Sequence, residues 1–298
     1  MKAFKVLVFA LLALPYSVLA QNFKINISDA NFTRPLIEKW VAEYEKENPN
    51  FSIEIVNTAN DANSATLQVD VSDQQLKTNA QNVVKVGRYV LLPFANNENP
   101  ILLNKKFKKG FNEKQLKELF VQKDELEDDG DEEKSKELNY TIYSRTGNHA
   151  ETTNLFAHFL NANPNTFKGK KILGEDIHVL AAVLKDKNAI SFNTPNLIYN
   201  IDSRHPLEGI SVLPIDLNND GKVSEAERQL TSNLDALTHY LESNKNSSLP
   251  TDNINIVYNN KNTELEIVKF VDWIESKGQQ YVNEYGFLSG QNNFVAQK

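Results

Sequence analysis

The sequence predicts an α/β fold, and three observations carry that expectation. Past residue 21 the chain opens with a strand–helix–strand unit. Short apolar runs of strand length then recur between amphipathic helical stretches. The length, 298 residues with 40% hydrophobic side chains, suits one large or two ordinary domains with real cores.

The elements follow in order. Lys24-Ile-Asn-Ile27 alternates like a short strand. Phe32, Leu36, Ile37, Trp40, Val41 and Tyr44 fall on one helical face, and Pro35 sits in the first turn, where its missing N–H costs nothing. Asn48-Pro-Asn50 stops that helix, and Phe51–Val56 reads as the next strand. Asn57–Ala65 is a polar loop. Val83–Val86 and Tyr89–Leu92 form an apolar strand run that Pro93 is expected to end, and Asn96–Pro100 is a crossing point. Asn112–Phe120 is a short helix. Asp124–Glu133 carries eight acids in ten residues and reads as a solvated loop. Tyr140–Tyr143 is a strand leading into Arg145-Thr-Gly-Asn148 and a helix over 149–161. Val179–Leu184 is a helix, and Ala189–Phe192 and Ile210–Ile215 are strands. Leu230, Leu234, Leu237 and Leu241 share a helical stripe. Ser247–Pro250 is a second linker, Asn253–Tyr258 a strand, and Glu264–Ile274 an amphipathic helix that Gly278 bends.

One stretch is chemically sharper than its surroundings. In Asp216–Glu227 oxygen-bearing side chains stand at the first, third and fifth places (Asp216, Asn218, Asp220). Gly221 is sixth, Lys222 offers its carbonyl at the seventh, Ser224 is ninth and Glu227 twelfth. This is the register of an EF-hand calcium loop, in which a hard cation gathers about six to eight oxygens from one tight wrap. Val223, at the eighth place, can tuck inward and hold the wrap. The flanks are a strand before and a helix after, which points to a structural ion and not to a sensor. Calcium is the one cofactor expected.

Composition narrows the rest. A net charge of −7 disfavours nucleic acid as a partner. The absence of cysteine excludes disulfides, thiolate zinc sites and a cysteine nucleophile. Lys2 and Lys5, the apolar run Val6–Leu14, and Val18-Leu-Ala20 before Gln21 make residues 1–20 a secretory signal, so a periplasmic or secreted bacterial protein is expected. No His-Glu-x-x-His, Gly-x-Ser-x-Gly or phosphate-loop pattern occurs, and no enzyme motif is found.

The order of the pieces resembles the periplasmic phosphate-binding proteins of ABC transporters, in the type II periplasmic-binding fold. Five passages carry the likeness: Phe32–Trp40, Leu92–Pro100, Arg145–Phe156, Pro214–Glu227, and Phe270–Ile274 with Gly278-Gln279. The resemblance covers most of residues 23–288. It implies two lobes with mixed sheets flanked by helices, and a discontinuous first lobe (21–95 and 249–298) around a second (96–248). It implies a phosphate-like oxyanion between them, held by helix N-termini, hydroxyls, an arginine and an acidic acceptor. Carried onto this chain, the grip falls on Asn31, Phe32, Asp73, Arg145 and Asn148. An ABC importer is the implied partner, and a monomer is expected.

The chain also departs from the family pattern. Asn148-His-Ala-Glu-Thr152 stands where a Ser-Gly-Thr run is usual, with Asn148 and Glu151 spaced for a capping box. Glu151 in the first helical turn would repel an anion. Asn31 replaces a hydroxyl, and Asn57–Ala65 holds no glycine. The alternative reading is therefore a scaffold or interaction protein on the same fold that has lost the anion site.

Overall fold

The computed structural model describes residues 21–28, 30–57, 65–71, 81–104, 109–122, 140–147, 149–244, 248–259 and 264–290. The secretory signal, the acidic run 124–133, Asp73 and Asn148 lie outside them.

Two mixed sheets organise the chain. The first contains β1 (Gln21–Asn26), β2 (Phe51–Val56), β3 (Leu67–Asp70), β4 (Gln81–Val90), β10 (Thr251–Asn259) and β11 (Leu288–Ser289), in the order β11-β4-β10-β3-β1-β2. β1 pairs in parallel with β2 and β3, while β10 runs antiparallel to β3 and β4. The second contains β5 (Leu92–Asn96), β6 (Thr141–Thr146), β7 (Lys170–Leu173), β8 (Ala189–Asn193) and β9 (Ile210–Val212), in the order β7-β6-β8-β5-β9. Here β6 is parallel to both β7 and β8, and β5 runs antiparallel to β8 and β9.

The chain changes sheet at Leu91, between β4 and β5. That is earlier than the boundary at 95–96 drawn from sequence, because Pro93 does not end a strand. It lies second in β5, opposite Phe192, and its carbonyl accepts from Leu213 N at 2.9 Å. Proline is tolerated near a strand start, where one missing donor leaves the rest of the ladder intact. The return crossing runs through Leu249-Pro250, and Leu91 N donates to Pro250 O at 3.0 Å, tying the two crossings together.

Helices cover each sheet for the reasons their sequences give. α1 (Arg34–Glu47) buries Leu36, Ile37, Trp40, Val41 and Tyr44. Trp40 Nε1 donates to Gly278 O at 2.8 Å, and Tyr44 packs edge-on against Phe51 and beside Phe270 of α8 (Leu265–Glu275). On the second sheet α2 (Glu113–Phe120) starts with a reciprocal Asn112–Gln115 capping box. Phe120 packs beside Phe156 of α3 (Glu151–Phe159), whose ring stacks on Phe192 at 4.0 Å. α4 (Asp176–Lys185) packs on β8 and β6. α5 (Pro195–Ile198) is a single turn after β8. The leucine stripe read as one helix is two: α6 (Glu225–Leu230) and α7 (Leu234–Ser243). Asn233 caps α7 by accepting from Ala236 N at 3.0 Å, which restarts the helix.

One apolar cluster runs through both lobes, from Trp40 and Phe270 over Phe32, Tyr89 and Phe287 to Phe156 and Phe192. At its edge Glu242, on α7, joins the lobes. Its Oε2 takes Arg88 Nη2 at 2.9 Å, and its Oε1 takes Asn283 Nδ2 at 3.0 Å and Ser289 N at 2.5 Å.

Candidate functional site

The candidate guest site is taken at the lobe junction, where the turn entering α1 is hydrogen-bonded to Asn196, just past β8 of the second sheet. Asn31 and Phe32 form the 3-10 turn that enters α1. Phe32 lies 5.0 Å from the Tyr89 ring and 6.2 Å from Phe287, and its carbonyl accepts from Asn196 Nδ2 of the second lobe at 2.7 Å. Tyr89 is fully buried and donates to Val71 O at 3.2 Å. Burial pushes its phenol well above the ordinary value, and the negative charges of Asp252, Glu151, Asp176 and Asp70 push the same way. Carboxylates of both lobes thus lie near enough to disfavour a charge on this phenol.

Arg145 closes β6. Its Nε donates to Gly174 O at 2.6 Å and its Nη1 to Asp176 Oδ2 at 2.8 Å, with the two side chains only 10% and 6% exposed. Thr152 Oγ1 donates to the other oxygen of Asp176 at 2.5 Å, and Thr153 Oγ1 to Arg145 O at 3.0 Å. The arginine is thus held in a buried pair beside the first turn of α3.

That turn differs from the sequence expectation. α3 begins at Glu151 with Ala150 as its cap residue and no side-chain cap bond, two positions later than the cap at Asn148 expected from sequence; Asn148 itself lies outside the described residues. His149 takes a positive φ of 73° just before it, and this turn delays the helix start. Glu151 sits in the first turn, as read from sequence, and its Oε2 accepts from Asn154 Nδ2 at 3.5 Å.

Two residues that sequence reasoning passed over stand at the same junction. Thr194 and Asn196 flank Pro195 at the end of β8. Thr194 is fully buried and its hydroxyl has no partner among the described residues, and the buried Oδ1 of Asn196 has none among them either. Asn-Thr-Pro-Asn reads from sequence as an ordinary turn, and nothing in it signals burial.

The loop 216–227 is built away from this junction. Asp216 Oδ1 and Oδ2 accept from Asp220 N (3.1 Å) and Gly221 N (2.7 Å), and Asn218 Oδ1 accepts from Asp220 N (3.0 Å). Asp220 Oδ1 accepts from Lys222 N at 2.9 Å. Glu227 Oε1 takes Leu217 N at 2.8 Å, and its Oε2 takes Ser224 N at 2.7 Å and Ser224 Oγ at 2.8 Å. Gly221 supplies the left-handed turn, with φ 85°. Val223 packs on Gly110, where an added Cβ would meet Val223 Cγ2 at 2.0 Å. Asp216 and Glu227 are 2% and 4% exposed and have no ion-pair partner among the described residues. Also among the described residues, no three His, Cys, Asp or Glu side chains converge as a metal cluster. A groove of about 490 Å³, lined by Lys109, Asn112 and Gln115, gives the loop access to solvent. Ser248, at the return crossing, donates from its N to Leu217 O at 3.1 Å and from its hydroxyl to Asp216 O.

Two α/β lobes crossed twice by the chain define the type II periplasmic-binding fold. Solved structures agree. A Clostridium perfringens protein described as a phosphate ABC transporter substrate-binding protein, with phosphate bound, superposes with a TM-score of 0.64 at 16% identity, over 90% of this chain and 99% of that one. An ABC-type phosphate transport receptor from Vibrio cholerae gives 0.56 at 9%, over 89% and 99%. The reduced regulatory domain of OxyR from Pseudomonas aeruginosa gives 0.50 at 10%, over 86% and 98%. No family model matches the chain, and no curated protein does. The fold is thus shared by transport receptors and regulatory domains, and does not by itself define a guest.

Proposed function

We propose that the chain is a solute-binding protein that holds a small oxyanion, phosphate or a relative of it, between its two lobes, in the manner of an exported receptor for an ABC importer. The observation that carries this reading is the contact of the turn entering α1 with Asn196 of the second lobe, with Arg145 and the first turn of α3 bonded together at the end of β6 on that lobe. Helix N-termini present unbonded N–H groups and partial positive charge, which suit an anion. Among the described residues no helix is long and apolar enough to cross a membrane, in keeping with a receptor body outside the bilayer. Calorimetry with phosphate on the full chain tests the reading: a single-site isotherm supports it, and no heat opposes it.

A second reading has its own observation. Arg145 is committed to Asp176, and Glu151 adds negative charge at the α3 turn. A scaffold that has lost its guest would look like this, and it would bind no oxyanion while keeping the same fold.

Calcium at 216–227 is proposed as a structural element of the same molecule. Asp216, Asn218, Asp220, Glu227 and Ser224 would supply side-chain oxygens and Lys222 its carbonyl. Asp216 and Glu227 are buried and form no ion pair among the described residues, so their charge is held by N–H and hydroxyl donors alone, and a bound cation would add the missing opposite charge. Binding would draw the loop's carboxylates closer together and, through Ser248, stiffen the return crossing.

A further inference from the structure

Thr194 and Asn196 present two buried polar atoms that have no hydrogen-bond partner among the described residues, the Thr194 hydroxyl and Asn196 Oδ1. Buried polar groups without partners are rare, and each asks for a cause. The Thr194 hydroxyl is not used as a helix cap, although the residue stands at the cap position of α5. Asn196 is held in place by its other amide atom, which donates to Phe32 O at 2.7 Å. Gly286 of the C-terminal segment packs on its backbone, where an added Cβ would lie 3.1 Å from Asn196 N.

Their place in the fold gives the cause. β6 and β8 are parallel neighbours, so Arg145 and Thr194 emerge on the same edge of the second sheet. Both ends converge on Asp176: Arg145 Nη1 pairs with its carboxylate, and Asn193 Nδ2 donates to its backbone carbonyl at 3.0 Å. Phe32, in the first-lobe turn read as a ligand contact, touches Asn196 directly. The unused hydroxyl and amide oxygen thus stand at the junction where the guest is proposed to lie.

We propose that Thr194 and Asn196 contact the guest and help set its chemical class. The inference rests on the solute-binding reading above and extends it to residues outside the arginine and helix turns. Asn196 Oδ1 can only accept, whereas the Thr194 hydroxyl can donate or accept. The guest must then offer a hydrogen to Asn196, so its class is an oxyanion that keeps an O–H at neutral pH or a hydroxylated organic anion.

The test uses inorganic phosphate as probe, with calorimetry and thermal unfolding on the full chain. Thr194→Val removes the hydroxyl at constant shape, and Thr194→Ser retains it. Wild-type binding is expected to weaken about tenfold or more in Thr194→Val, the scale of a lost bond to a charged partner. It is expected to persist in Thr194→Ser, with the guest-free melting temperature of Thr194→Val unchanged or raised. Equal phosphate affinity in Thr194→Val and wild type overturns the inference while the solute-binding reading stands. A lower guest-free melting temperature in Thr194→Val, restored in Thr194→Ser, shows an internal structural role and also overturns it. No phosphate heat with the wild type removes the reading of the site and this inference together.

Discussion

Arg145 Nη1 lies 2.8 Å from Asp176 Oδ2, and both side chains are almost wholly buried. The pair joins the end of β6 to the start of α4 and fixes the edge of the second sheet beside the proposed guest. Removing one member of a buried pair leaves the other charge uncompensated, at about 3–5 kcal/mol. Arg145→Ala is therefore expected to destabilise the protein by about that amount in urea unfolding. Asp176→Asn added to Arg145→Ala is expected to recover part of the loss, since no bare carboxylate remains. A loss below about 1 kcal/mol in the single variant would mean the pair contributes no more than an exposed one.

The loop at 216–227 makes a second prediction. An ion that binds only the folded form stabilises it by mass action, about 2.7 kcal/mol at a hundredfold excess over Kd. Calcium is expected to raise the melting temperature and a chelator to lower it, and Asp216→Ala is expected to abolish the difference. Tyr240 on α7 is near enough to feel the charges of Glu227 and Asp216. Terbium luminescence sensitised by tyrosine should therefore appear in the wild type and fall in Tyr240→Phe. A melting temperature indifferent to calcium would remove the ion from the account.

Gly110 tests the packing of that loop separately from its oxygens. Its φ is +90°, and a Cβ would meet Val223 Cγ2 at 2.0 Å. Overpacking costs about 1–3 kcal/mol and a left-handed non-glycine residue adds to it. Gly110→Ala is expected to lower stability by about 2 kcal/mol or more and to weaken calcium binding through Val223. Wild-type stability in this variant would show that the loop moves aside freely.

High pH should unfold the protein through its buried phenols. Burial raises Tyr89 well above the ordinary value of 10.0, aided by four carboxylates, and burial raises Tyr199 as well. Both stay neutral in the folded state while the unfolded chain ionises. Their contribution is fully present below pH 10 and is lost as pH rises from there towards the folded values. Alkaline titration followed by phenolate absorbance should show these two tyrosines ionising only with unfolding, and Tyr199→Phe should move the alkaline midpoint upward. Ionisation of every tyrosine near pH 10 with the fold intact would contradict this.

Much of the architecture was legible because period and punctuation agreed. The apolar face from Leu36 to Tyr44 needed only Pro35 and Asn48 to bound it, and α1 follows. β7 was not legible: its Lys-Lys-Ile-Leu sequence lies at the sheet edge with little buried, so no alternation marks it. β3 is only four residues long, too short for an alternation to mark it. The Leu230–Leu241 stripe keeps its period across a break that Asn233 imposes locally. At the site, Phe32 and Arg145 could be named from the resemblance, whereas Thr194 and Asn196 could not. Their distinction is burial without a partner, a property of the assembled lobes and not of any short run of residues.

Titration calorimetry of the calcium-saturated wild type with inorganic phosphate meets the central claim most directly. The account predicts one oxyanion per chain, with heat that is lost when phosphate is already bound. A flat titration with phosphate, and with hydroxylated organic anions after it, from a folded and monodisperse sample would contradict it.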